Sequence, residues 1–102
     1  MISRHWRGII RRGEAENYLD HLRRKTFPQL ETIEGFRGAS ILKREVTSGT
    51  EFLIVTNWES TEAIRRFAGA ALNQAVVPPE AQAMMIEYDK EVVHYEVIEG
   101  GF

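Results

Sequence analysis

The chain contains no cysteine, which excludes disulfide frameworks, thiolate metal centres and cysteine nucleophiles. Proline is scarce, at three residues; two adjoin at Pro78-Pro79, and only Pro28 falls where a helix would otherwise run. No window approaches the ~18 consecutive apolar residues that a membrane-spanning helix requires. The first residues, Met1-Ile2-Ser3-Arg4-His5-Trp6-Arg7, carry charge where a secretory leader needs its apolar stretch, so a cytoplasmic location is expected. Positive charge is not in excess either: a net charge of −2 gives no electrostatic case for nucleic acid. No P-loop or dinucleotide fingerprint occurs, because Gly35-Phe36-Arg37-Gly38 is too short and stands between a helix and a strand in the wrong order.

What is present is an ordinary globular balance. Of 102 residues, 43% are hydrophobic and 27% charged, the proportions of a soluble single domain. Residues 1–102 are therefore read as one domain, with a core over 2–98 and a tail over 99–102 expected to fray. Charge is uneven along it. Residues 1–44 hold 10 of the 13 Lys/Arg and residues 45–102 hold 10 of the 15 Asp/Glu, which interleaved elements of one domain would compensate.

Residues 2–10 alternate as a strand, with Arg4, Trp6 and Gly8 opposed to Ser3, His5 and Arg7. Beyond Gly13, the spacing of Ala15, Tyr18, Leu19, Leu22 and Thr26 predicts an amphipathic helix that stops or restarts at Pro28. A second strand is expected over Gly38–Glu45, a hairpin loop at Thr47–Thr50 and a third strand over Glu51–Trp58. Ser60 stands at an N-cap position for a helix to Ala68, and Pro79-Glu80 opens a third helix expected to reach Tyr88. A last strand is expected over Glu91–Ile98. The order βαββαβ predicts an α+β, ferredoxin-like fold with a four-stranded antiparallel sheet, strands 1 and 3 central and strand 4 against strand 1.

Helices cover one face of such a sheet, yet strand 3 is apolar on both: Phe52, Ile54 and Thr56 lie on one face, Leu53 and Val55 on the other. Val92 and Ile98 likewise oppose Val93, Tyr95 and Val97. A second copy packed on the free face would cover this surplus, so a homodimer is expected.

The sequence resembles the antibiotic biosynthesis monooxygenase (ABM) domain family, whose members are dimeric α+β barrels of ferredoxin-like subunits. The resemblance rests on Trp6-Arg7-Gly8, Gly35-Phe36-Arg37-Gly38, Thr56-Asn57-Trp58-Glu59-Ser60, Phe67-Ala68-Gly69 and His94-Tyr95-Glu96-Val97. It implies one of two chemistries. Some members are cofactor-free oxygenases of polyketide anthrones or quinols, in which the deprotonated substrate itself reduces oxygen. Others degrade heme with an Asn on strand 1, a Trp on the second helix and a His beyond it. Here Phe67 stands at that Trp position, Val77 at that His position, and strand 1 has no Asn. No cofactor is therefore expected.

The candidate catalytic residues are Asn57, as an oxyanion donor, and His94, which strand order brings near His5 as a base with its orienting partner. Trp6, Tyr18, Trp58 and Phe67 are candidates for binding a small apolar aromatic ligand, Trp58 doubling as a core residue. Two histidines without a third ligand make no metal site. A non-catalytic ligand-binding module on the same barrel is the alternative reading, and a heme-binding protein the third.

Overall fold

Alternation along residues 2–11 builds the central strand of the computed structural model, which describes residues 1–100. Strand β1 (Ile2–Arg11) pairs over its whole length with β3 (Gly49–Trp58), Ile2 opposite Trp58 and Arg11 opposite Gly49. Strand β2 (Phe36–Val46) pairs with the other edge of β3 through a tight turn at Thr47-Ser48. The free edge of β1 is shared by two short strands: β5 (Val93–Glu96) lies along Ile2–His5, and β4 (Met85–Tyr88) lies along Gly8–Ile10. All pairs are antiparallel.

The α+β, ferredoxin-like architecture and the central pair of strands are as the sequence indicated. The fourth strand and the third helix are not. The expected helix to Tyr88 closes after one turn, α4 (Pro79–Gln82), and its second half is β4. The expected strand over 91–98 narrows to β5, giving five strands. The reason is hydrogen-bond accounting. Four residues of β5 satisfy only half of the β1 edge, and the backbone groups of Gly8–Ile10 also need partners. A short helix opened by two prolines has little to set against that pairing. Gly101 and Phe102, half of the tail expected to fray, lie outside the described residues.

The first helix runs past Pro28 in three pieces: α1 (Ala15–His21), a π-helical turn over Leu22–Thr26, and α2 (Phe27–Glu31). Pro28 occupies the first turn of α2, where a missing N–H is tolerated. Helix α3 (Thr61–Ala68) is capped as expected: Ser60 Oγ accepts from Ala63 N at 3.2 Å, and Gly69 closes it at φ 78°.

The helices cover one sheet face. Two hydrophobic clusters lie there, one around Ile10, Tyr18, Leu22, Phe52 and Ile54, the other around Leu30, Trp58, Ala63 and Ile64. On the opposite face Leu42 is 47% exposed, Val93 51% and Tyr95 55%.

Candidate functional site

Between sheet and helices lies an apolar cavity of about 80 Å³. Residues of β1 and β3 that point toward the helices form its floor: Arg4, Trp6, Ile54 and Thr56. Tyr18, His21, Leu22 and Thr26 from the first helix form one wall, and Phe67 from α3 another. The roof is the irregular connector after α3, with Val76, Val77 and Pro78. Val76 is 49% exposed, so the cavity reaches the surface beside it.

The aromatic walls are interlocked. Tyr18 meets Phe52 edge-on at 5.0 Å, stacks on His21 at 6.3 Å and tilts against Trp6 at 6.4 Å. The Trp6 indole N–H donates to the Asp89 carbonyl at 3.0 Å, in the break between β4 and β5. Its ring lies over Gly8, where an added Cβ would stand 2.5 Å from the ring edge, so glycine is what lets the indole lie flat along the strand. Burial pushes the Tyr18 phenol well above its ordinary range, so it remains a neutral hydroxyl near pH 7.

Among the described residues, Arg4 is the one Arg, Lys, Asp or Glu lining the cavity, and it is 4% exposed. Its guanidinium donates to the carbonyls of Leu72 at 2.7 Å and Gln74 at 2.9 Å, and to His94 Nε2 at 2.9 Å. Its central carbon stands 5.7 Å from the centroid of the Phe67 ring. Burial lowers the Arg4 pKa to about 10, leaving it charged near neutrality. Desolvation first, and then the Arg4 charge, hold the His94 imidazole below its ordinary pKa. A neutral His94 that accepts at Nε2 must carry its proton on Nδ1.

The model of the antibiotic biosynthesis monooxygenase family matches residues 1–85. The chain belongs to the ABM family. No curated protein matches it significantly in sequence. Among solved structures it is similar to a Bacillus cereus protein assigned as an antibiotic biosynthesis monooxygenase, with TM-score 0.65 and 21% identity over 99% of this chain and 96% of that one. It is similar also to SnoaB, a cofactor-independent oxygenase from Streptomyces nogalater, with TM-score 0.63 and 14% identity over 97% and 94%. The heme-degrader MhuD from Mycobacterium tuberculosis, crystallised with two hemes, gives TM-score 0.60 and 20% identity over 100% of both chains. At these identities the likeness is one of fold.

In this ABM protein, Trp6, Tyr18 and Phe67 meet at the cavity. The other candidates do not. Asn57 pairs with Ser3 on the opposite face of the sheet, since neighbours in a strand point to opposite sides. Trp58 shares the helix-facing side but stands behind Phe67, fully buried, stacked on that ring at 5.8 Å and edge-on to Phe36 at 5.3 Å. Its indole N–H donates to Thr56 Oγ1 at 2.8 Å. His94 reaches the cavity only through Arg4, and its Nε2 lone pair is occupied by a cation, which removes it as a base. The expected His5–His94 pair does not form. His94 registers with Arg4, so His5 falls on the other face, beside Tyr95 at 5.0 Å and hydrogen-bonded to Ser3 at 2.8 Å. Among the described residues no cluster of His, Asp and Glu is placed to hold a metal ion.

Two cavity residues escaped the sequence reading. Arg4 shares the face of Trp6 by simple alternation, and His21 lies one helical step from Tyr18. Both patterns were available, but a charged residue on a core-facing stripe is ordinarily taken as solvent-facing.

Proposed function

We propose that the protein is a cofactor-independent monooxygenase, working as a homodimer on a small planar aromatic substrate of the quinol or anthrone type. The observation that carries this reading is the cavity itself: apolar, walled by Trp6, Tyr18 and Phe67, with a single buried cation at its floor. For an anthrone-type CH₂, one C–H proton leaves to His21, the imidazole that lines the cavity, and the carbanion lies near Arg4. The carbanion passes one electron to O₂, and the radical and superoxide combine as a peroxide. His21 returns its proton to the peroxide, and loss of water, taking that proton and the second C–H proton, leaves C=O. One oxygen atom enters the substrate, the other departs as water, and the substrate supplies all four electrons.

The cavity residues do not fit the heme arrangement that the family resemblance implies. Phe67 and Val77 line the cavity at the positions of the implied Trp and His and offer no ligand atom. The homodimer is supported by the free sheet face, where Leu42, Val93 and Tyr95 are exposed beside half-buried Leu53 and Val55.

Oxygen uptake with a panel of anthrones and dihydroxynaphthalenes tests the reading. His21→Ala should lower uptake by about 10²- to 10⁴-fold, the usual contribution of a general base, and Asn57→Ala should leave it unchanged. Tight binding of a panel member without oxygen consumption would replace the oxygenase by the ligand-binding module. No binding at all would refute the site.

A further inference from the structure

We infer that Arg4 makes the cavity a receptor for anions: its ligand is a planar aromatic carrying a negatively charged oxygen, seated on the guanidinium with the ring against Trp6 and Phe67. The inference rests on the proposed function for the premises that the cavity is the ligand site and that Arg4 is its cation, and does not depend on oxygen chemistry.

The charge arrangement around Arg4 differs from that of the other paired arginines. Arg7, Arg24, Arg37, Arg44 and Arg65 each meet a carboxylate, and all are more exposed than Arg4. Among the described residues no carboxylate stands within ion-pair distance of Arg4. A buried cation without a counter-ion is expensive to maintain. Here it is solvated by two carbonyls and one neutral imidazole, which supply dipoles and no charge. Those three bonds use three of the five N–H donors of a guanidinium. Among the described residues no buried side-chain nitrogen or oxygen is both sealed from solvent and unpaired. Arg4 Nε, which makes none of the three bonds, is therefore reached by solvent; it and the second Nη2 hydrogen are the donors left on a side chain that lines the cavity.

An oxyanion reaching them would complete the missing ion pair in an apolar surrounding, where a charge-assisted hydrogen bond is strongest. Space is consistent with a ligand that remakes these contacts. The cavity, at about 80 Å³, is smaller than the ~150 Å³ apolar cavity that holds one benzene. A ring must then lift the connector that forms the roof; the carbonyls of Leu72 and Gln74 hold that connector to Arg4, and as it lifts the donors they release join the unused ones in facing the ligand oxygen.

Benzoate and benzamide have nearly the same shape and differ in charge, so titrating each into the protein at pH 7.5, read by amide and indole NMR shifts, tests the inference. Benzoate should bind about tenfold or more tightly than benzamide, with shifts centred on Trp6 and Phe67. Arg4→Met should abolish that preference while keeping benzamide affinity, and Arg4→Lys should retain part of it. Equal affinities, or benzoate shifts centred on the Arg7–Glu51–Arg44 face, overturn the anion seat and leave the cavity as a ligand site. Failure of both ligands to reach the cavity overturns this inference and the proposed site together. The comparison is made on the unaltered protein, so a variant that fails to fold does not remove the test.

Discussion

Replacing Trp58 by alanine separates packing from ligand contact at the most buried large side chain of the domain. Trp58 is 0% exposed, sandwiched by Phe36 and Phe67 and packed with Leu30, Ala63 and Ile64. Truncation of a buried tryptophan costs about 3–5 kcal/mol through lost transfer energy and residual cavity. The hydroxyl of Thr56 also loses its indole donor, though it keeps a long contact, 3.5 Å, to the Arg4 carbonyl. Against a total stability of about 5–15 kcal/mol for a domain of this size, the loss is a large fraction. It should lower Tm by at least ~12 °C, at roughly 4 °C or more per kcal/mol. Trp58→Phe keeps a ring in the slot and should lose only about 1–2 kcal/mol, mainly the indole hydrogen bond and part of the ring volume. Urea unfolding followed by circular dichroism, with equal m-values across the series, gives the differences. A loss under about 1.5 kcal/mol for Trp58→Ala would refute the argument from burial. So would unchanged stability with complete loss of ligand binding, since that would make Trp58 a wall of the cavity itself.

Three further outcomes are expected. Val55→Lys places a charge among the exposed apolar residues of the sheet face away from the helices; it should convert a dimer to a monomer in light scattering at micromolar concentration, and a wild-type monomer there would remove the homodimer. Hydrogen bonds from Arg44 and Arg7 hold the Glu51 carboxyl at about 2, so its stabilising effect is full above the ordinary carboxylate range and fades as pH falls from about 4.5 toward 2. The stability gap between wild type and Glu51→Gln should shrink across that window, and a gap that widens on acidification would contradict the ion-pair assignment. Hemin titration should give no stoichiometric Soret-shifted complex; a tight one-to-one complex would show that the cavity accepts a porphyrin despite Phe67 and Val77.

Much of the fold follows from period alone. Alternation in residues 2–10 and the short apolar run of 51–58 after a turn locate the two central strands, and Ser60 and Gly69 bracket α3 by local chemistry that needs no tertiary information. Residues 85–88 could not be read that way. Their strand exists because the β1 edge lacks partners beyond His5, a condition created elsewhere in the chain. The site shows the same division. Tyr18 and Phe67 lie on clear helical stripes, and Trp6 on a strand face. Asn57 and Trp58 are both candidates for one site, although the alternation assigned to Phe52, Ile54 and Thr56 continues to Trp58 and sends Asn57 the other way. The Arg4–His94 contact spans 90 positions and depends on β5 registering against β1.

The π-helical turn at Leu22–Thr26 has a genealogical consequence. Such a turn is what remains when one residue is inserted into an α-helix and the chain on both sides keeps its contacts. It lets Tyr18, Leu22, Thr26 and Leu30, each four residues from the last, all border the cavity; in an unbroken α-helix that series would drift by about 40° per step. Deleting a single residue there would restore regular winding while Ala15–His21 and Phe27–Glu31 keep their places against the sheet. A relative one residue shorter within this helix should therefore keep the same core contacts on both sides of the turn and present a different wall to the cavity at Leu22–Thr26.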